Sequence, residues 1–248
     1  MTAWADAATD KVRELGFNSC GGWADIDNLT KVEQPLTQTK ILSVLSRYAS
    51  SKGLNTSSGT GTDFLYGVFP TFDPEFETFA EERIKSETAG YENSPYIYGW
   101  MSDNELPYGW EMLDNALALD STDRRFVYSY ATAWNWLINM TGKTNPDQSD
   151  ITPELSQLFR GFVWDRYYNV VTKAVKKYDP NHMLLGTRFL HGVVKAPWVL
   201  RFAALYLDCM TINWYGRWEI PPAELNDVVR NADIPLMITE FYTKAIDS

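Results

Sequence analysis

Short, continuous apolar runs separated by segments with helical spacing most constrain the fold of this chain. Examples are residues 96–101, 210–215 and 236–240, in which apolar side chains follow one another with little polar alternation. Strands of this kind are buried on both faces, which is typical of a parallel sheet covered by helices. No Gly-rich phosphate turn follows any of these runs. The sequence therefore predicts an α/β fold, and a (β/α)₈ TIM barrel rather than an open doubly wound sheet.

Helices are predicted from apolar periodicity and from start and stop residues. Pro74 and Pro153 stand where a first helical turn begins, and Gly16 and Asp179 stand where helices end. The predicted helices are residues 3–15, 38–52, 73–87, 122–140 and 152–178. The predicted strands are residues 17–20, 64–69, 96–102, 183–189, 210–215 and 236–240. A chain of 248 residues suits one large domain, so residues 1–248 are predicted to be a single barrel domain or a large fragment of one.

Charge and composition exclude several classes of partner. The formal net charge is −10 and basic residues do not cluster, which argues against nucleic acid. No run of eighteen apolar residues is present, so we expect no membrane span, and the N-terminus lacks a signal-peptide pattern. Cys20 and Cys209 do not have metal-ligand spacing, and neither does any group of His, Cys or carboxylate residues. We expect no metal or other cofactor.

Two of the predicted strands end in a glutamate. Glu105 follows Asp103 and Asn104 after one run, and Glu240 closes the last run. The carboxyl ends of barrel strands share one face, where barrel enzymes carry their chemistry. Cleaving a glycosidic bond needs a proton for the departing oxygen and a carboxylate for the sugar cation, so two such residues suffice. The alternative is a pair of loop carboxylates engaged in ion pairs.

These strand ends resemble the acid/base and nucleophile motifs of clan A glycoside hydrolases, which close barrel strands four and seven. Further stretches, in the same order, look like the β-agarases of glycoside hydrolase family 50. They are residues 15–18, 72–76, 100–106, 179–182, 185–189, 240–241 and 245–247. The resemblance implies retaining cleavage of a β-linked, galactose-containing polysaccharide such as agarose, and a secreted or periplasmic protein. Tyr242 stands where these agarases tend to have His, which bears on sugar specificity.

The resemblance also implies roles for individual residues. Glu105 would be the acid/base, Glu240 the nucleophile, and Asn104 a donor to the sugar 2-hydroxyl. Tyr215 looks like the clan's tyrosine that hydrogen-bonds the nucleophile, or else is an aromatic residue at the barrel rim. The other candidate substrate-binding residues are Arg188, His191, Trp23, Trp214 and Trp218, with a salt bridge, a solvated imidazole and core packing as the alternatives. Asp103 is expected to hold the turn or to pair with Arg188, and His182 to lie on the opposite face.

Counting strands from the two glutamates leaves strands one and eight without a candidate segment. Six staves of eight would leave two open edges. The chain is then a fragment, or its loops supply the missing staves, or a further segment or second copy completes the barrel. Two alternative functions stay open: a clan A β-galactosidase or β-glucanase, and a catalytically inactive barrel that binds carbohydrate.

Overall fold

Parallel strands surrounded by helices form the framework of the computed structural model, which describes residues 2–56 and 63–243. The strands are β1 Gln38–Ile41, β2 Ile97–Met101, β3 Met183–Gly186, β4 Phe189–Leu190, β5 Met210–Tyr215 and β6 Leu236–Tyr242. The α-helices are α1 Thr2–Glu14, α2 Ile26–Leu29, α3 Val44–Ser51, α4 Pro74–Thr88, α5 Met112–Leu117, α6 Val127–Thr141, α7 Pro153–Tyr178, α8 Pro197–Ala204 and α9 Pro222–Ala232. Residues 245–247, part of the family resemblance, lie outside the described residues.

The strands form two parallel three-stranded sheets, β1-β2-β3 and β4-β5-β6. Only Thr187 and Arg188 separate β3 from β4, and β5 connects the two halves. The Thr211 hydroxyl donates to the Leu185 carbonyl at 2.5 Å and accepts from the Arg188 backbone N–H at 3.1 Å. Strands β3 and β4 are therefore two parts of one strand position (stave), which is interrupted at Thr187 and Arg188. The predicted parallel α/β fold is confirmed, and closure into an eight-stranded barrel stays a prediction.

Strands β2, β5 and β6 and helices α1, α4, α6 and α7 lie close to their predicted positions. Residues 17–20 contribute a single parallel bridge, from Ser19 to Thr37, in place of the predicted strand. Among the described residues, no helix combines the length and apolar character that a membrane span requires.

Two further secondary-structure predictions are wrong. Residues 38–41 form strand β1, which pairs with β2, and the helix predicted for residues 38–52 begins only at Val44. Residues 64–69 do not form the predicted strand, because Phe64 makes one antiparallel bridge and a 3-10 turn follows, with Tyr66 at φ 58°. Phe69 in this segment is buried against the ring of Trp164, 5.3 Å away. The apolar run therefore reflects burial of a loop. Strand β1 lies beside β2, where the strand at residues 64–69 was expected.

The amino-terminal end of the sheet contains a buried polar cluster around Asp179. One carboxylate oxygen of Asp179 accepts hydrogen bonds from Trp100 Nε1 and from His182 Nδ1, each at 2.7 Å. The other ring nitrogen of His182 lies 2.9 Å from the Ser94 carbonyl. His182 therefore precedes its strand on the face opposite to the strand ends that carry the glutamates, as predicted, and contributes to packing.

Replacing Asp179 with Ala is expected to lower the free energy of unfolding by about 3–5 kcal/mol, because the buried Trp100 and His182 donors lose their acceptor. Urea denaturation followed by tryptophan fluorescence measures the change. Asp227→Ala, which removes an exposed carboxylate paired with Arg230, is the control and should have little effect. Equal effects of the two substitutions would contradict a structural role for Asp179.

Candidate active site

Glu105 lies directly after β2 and points toward the end of β5. Its backbone has φ 49°, a left-handed conformation that is costly for a residue with a Cβ. Its N–H donates to the Thr187 carbonyl at 2.9 Å, within the interruption between β3 and β4. One carboxylate oxygen, Oε1, accepts from Asn213 Nδ2 at 2.7 Å and from the Tyr215 hydroxyl at 2.9 Å.

Glu240 lies on β6 and is partnered by Arg188. Arg188 Nη2 donates to Glu240 Oε2 at 2.5 Å, and Arg188 Nη1 donates to Asn104 Oδ1 at 2.7 Å. Arg188 is only 2% exposed and adopts φ 51°, so the interruption in the stave fixes where its guanidinium lies. Asn104 and Glu240 are thereby held by one rigid planar cation.

Tyr215, which was predicted to hydrogen-bond the nucleophile, donates instead to Glu105 Oε1 at 2.9 Å, and Glu240 lies close enough to the same phenol to affect its pKa. Burial raises the pKa of the Tyr215 phenol, and the carboxylates of Glu240 and Glu105 raise it further, so the hydroxyl stays a neutral donor. The ring stacks on Tyr242, with centroids 5.1 Å apart and planes at 22°. The side chains of Glu105 and Glu240 therefore converge on one phenol oxygen.

Asn213 is a site residue that the sequence reasoning missed. It is fully buried on β5, where the Thr239 hydroxyl donates to its Oδ1 at 2.8 Å. This bond orients the amide so that Nδ2 faces Glu105. The signal in the sequence was a lone amide within an apolar strand, two residues before Tyr215 and therefore on the same face.

Asp103 stabilises the backbone next to the site. Its carboxylate accepts from the backbone N–H groups of Leu45 and Ser46 at 2.9 and 3.0 Å, and from the Tyr167 hydroxyl at 2.6 Å. It thereby caps helix α3, whose N-cap residue Ser43 makes no side-chain cap bond. Of the two roles predicted for Asp103, the structure shows that of holding the turn, and its carboxylate is occupied by donors other than Arg188.

The aromatic candidates fall in different places. Trp23 lies beneath Arg188, with the guanidinium carbon 5.6 Å from the ring centre. His191 stacks on Trp214 at 6.0 Å, and Trp214 is 3% exposed, so it packs mainly as a core residue. Trp218 is 82% exposed, so its ring is open to solvent. The structure thus gathers Glu105, Glu240, Asn104, Arg188, Tyr215 and Trp23 through the contacts above.

Two cavities are lined by the residues that precede and follow Glu105 in the sequence, Asn104 and Leu106. One, of about 230 Å³, is lined by Trp23, Asn104 and polar residues of the α3 region. The other, of about 530 Å³, is lined by residues 106–111 with Gly67, Asn115 and Leu190. Within the described residues, 2–56 and 63–243, no group of three His, Cys, Asp or Glu side chains is arranged to hold a metal ion.

Curated relatives share sequence along almost the entire chain. Beta-agarase B of Vibrio sp. (strain JT0107) is 25% identical over 284 residues, covering 99% of this chain and 28% of that protein. Beta-agarase A of the same strain is 25% identical over 289 residues, with the same coverage. The chain therefore spans less than a third of the length of these relatives. No protein-family model matches it.

Solved structures show the same fold. The structure of BpGH50 superposes with a TM-score of 0.80 at 26% identity, covering 98% of this chain and 55% of that one. An exo-beta-agarase superposes with a TM-score of 0.75 at 23% identity over 99% of this chain and 35% of that one. A Bacteroides uniformis beta-glucuronidase shares the fold at a TM-score of 0.52 and 11% identity. The predicted resemblance to the β-agarases of glycoside hydrolase family 50 is confirmed.

Proposed function

We propose that this chain is the catalytic region of a retaining glycoside hydrolase that cleaves β-linked, galactose-containing polysaccharide of the agarose type. The observation that carries the proposal is the convergence of Glu105 and Glu240 on the hydroxyl of Tyr215. The similarity to β-agarases supports the substrate class. We further propose that residues 1–248 form one domain, and that the interrupted stave belongs to a (β/α)₈ barrel.

The environments of the two carboxylates support different roles. Glu240 contacts the guanidinium of Arg188, which orients the carboxylate that would act as the nucleophile. Glu105 instead meets two neutral donors, the Asn213 amide and the Tyr215 phenol, both on Oε1. Because these two donors bond to Oε1, Oε2 is the oxygen that would pass a proton to the glycosidic oxygen. Two carboxyl groups with separate environments are what acid/base and nucleophile roles demand.

The reaction then proceeds by double displacement. Glu240 forms a bond to the anomeric carbon while the glycosidic C–O bond breaks and the proton of Glu105 Oε2 passes to the leaving oxygen. In the second step water loses a proton to Glu105 and attacks the same carbon, which releases Glu240. Asn104, fixed by Arg188, would donate its amide to the sugar 2-hydroxyl, and Trp23 would offer a face to the same sugar ring.

The separation of the carboxylates supports retention of configuration. The Tyr215 hydroxyl donates to Glu105 Oε1 at 2.9 Å, and Glu240 lies close enough to the same phenol to raise its pKa, so both carboxylates lie beside one side chain. Retaining enzymes hold their carboxyl groups about 5 to 5.5 Å apart, whereas inverting enzymes need about 6.5 to 9.5 Å to admit a water molecule. The connection through Tyr215 therefore favours a covalent glycosyl-enzyme.

Incubation with a panel of polysaccharides tests the proposal. We expect new reducing ends from agarose, with little release from cellulose or β-1,3-glucan, and NMR of the first products should show the β-anomer. Release from another β-galactan or a glucan would instead identify a related clan A activity. Binding of agaro-oligosaccharides without any cleavage would show an inactive carbohydrate-binding barrel, and α-anomeric first products would overturn the retaining mechanism.

A further inference from the structure

A cleft begins at the residue that follows Glu105. It has a volume of about 530 Å³ and is lined mainly by apolar and aromatic residues. Burial raises the pKa of Tyr108 in its wall, and the nearby charge of Glu105 raises it further, so this wall lies within electrostatic reach of the candidate acid. A wall that is largely apolar and aromatic, with Glu111 and Asn115 as its polar members, suits the face of a sugar ring.

The segment that carries Trp110 is rigidly built. The Tyr108 hydroxyl donates to the Leu190 carbonyl at 2.7 Å, and its ring packs so closely on Gly192 that a Cβ there would lie 3.1 Å from it. Gly109 has φ 71°, and a Cβ there would lie 2.2 Å from a side-chain carbon of Met112. The edge of Tyr108 meets Trp110, with centroids 5.7 Å apart. Trp110 is held in this position while 48% of its surface stays exposed.

Arg160 supports the indole of Trp110 from helix α7. Its guanidinium carbon lies 4.6 Å from the centre of the Trp110 ring, and the residue is only 4% exposed. Its Nε and Nη1 atoms have no hydrogen-bond partner among the described residues. Burying a cation without a carboxylate partner is costly, so a ring-facing arginine needs a reason other than stability. Cation–π attraction is strongest when the cation is desolvated, as it is here.

We propose that Trp110 is the stacking platform for the neutral sugar unit on the leaving-group side of the scissile bond, and that Arg160 is the positioning residue that fixes its indole. This inference rests on the proposed function, because it uses the assignment of Glu105 as the group that protonates the leaving oxygen. The cavity of Trp23 and Asn104 lies on the side of the 2-hydroxyl contact and takes the sugar that is attacked. The cleft of Trp110 extends from Glu105 and takes the departing part.

Kinetics on two substrates that share one glycone test this assignment. Agaro-oligosaccharide has sugar units in the leaving group, whereas the β-fluoride of the same oligosaccharide releases only fluoride and leaves the cleft empty. Trp110→Ala should lower kcat/KM for the oligosaccharide by about 10-fold or more, mainly through KM, and change fluoride hydrolysis by less than about 2-fold. Trp110→Phe should retain most of the activity because it keeps a ring.

Arg160→Gln should lower kcat/KM for the oligosaccharide by part of the amount lost in Trp110→Ala, and should leave fluoride hydrolysis unchanged. Arg160→Lys should restore the activity on the oligosaccharide. The matched control is Arg201→Gln, since Arg201 lies over Trp198 at 5.0 Å on helix α8 and should leave both activities unchanged. Equal effects of Arg160→Gln and Arg201→Gln would overturn the positioning role. Equal loss of both substrates in Trp110→Ala, or no loss of either, would overturn the platform.

Calorimetric binding of agaro-oligosaccharide to the wild-type chain and to Trp110→Ala separates this inference from the proposed function. If the wild type hydrolyses neither substrate, the proposed function fails, and a 10-fold weaker affinity of Trp110→Ala would still support the platform. Unchanged affinity would overturn it.

Discussion

Replacing Glu240 with Ala is expected to abolish hydrolysis of agarose, of agaro-oligosaccharides and of their β-fluorides alike, by about 10⁴-fold or more. The nucleophile is needed whatever the leaving group is, because it forms the bond to the anomeric carbon in the first step. Initial rates on the three substrates, measured at equal concentrations of folded protein, give the loss. Circular dichroism should be unchanged, since Glu240 is half exposed and its removal leaves no buried void.

Sodium azide gives the result a chemical signature. In Glu240→Ala, azide can occupy the space of the missing carboxylate and attack the fluoride substrate, so the product should be the glycosyl azide of inverted configuration. The matched control is Glu77→Ala, which removes a glutamate paired with Arg166 at 3.1 Å outside the site and should retain full activity. Substantial hydrolysis of the fluoride by Glu240→Ala without azide would rule out Glu240 as the nucleophile.

Replacing Glu105 with Gln is expected to divide the substrates. Cleavage of agarose should fall by about 10²- to 10⁴-fold, because the departing sugar oxygen then leaves without a proton. The fluoride, which needs little protonation, should still form the glycosyl-enzyme at a rate close to that of the wild type. Gln is preferred to Ala because it keeps an oxygen that can accept from Asn213 and Tyr215 and fits the same space.

The second step distinguishes Glu105 from a merely structural residue. Water attack on the glycosyl-enzyme requires a base, so the variant should accumulate this intermediate, which mass spectrometry of the protein detects. Azide should then yield a glycosyl azide of retained configuration, opposite to that from Glu240→Ala. If the Gln variant lost fluoride and agarose cleavage in equal measure, Glu105 would have no acid/base role.

The sequence allowed the helices and the central strands to be predicted, but β1 was missed. Gln38, Thr39 and Lys40 look like loop or helix residues, yet Gln38 and Thr39 are fully buried because the strand lies between other secondary-structure elements. Apolar residues from Ile41 onward belong partly to β1 and partly to α3, so their spacing merged two elements into one predicted helix. Residues 64–69 gave the opposite error, since an apolar run reports burial and does not by itself specify an extended backbone.

The candidate site was predictable where strand ends determine it. Glu105, Glu240, Asn104 and Tyr215 come together because parallel strands place their carboxyl ends side by side. The support of these residues was not predictable. Asn213 and the roles of Asp103 and Arg160 depend on tertiary contacts that join segments 50 or more residues apart, and no local pattern encodes such partners. The catalytic roles of Glu105 and Glu240 remain predictions, which the variants of these two residues test.

Glu105 has positive φ, and its N–H donates to Thr187 in the break between β3 and β4. Such a residue costs of order 1 kcal/mol or more relative to ordinary backbone. A thermostability screen would therefore favour glycine at position 105, and the gain in melting temperature would come with loss of the carboxylate. Thermal stability and the proposed catalysis therefore favour different residues at this position, so selection for heat resistance alone would remove this carboxylate first.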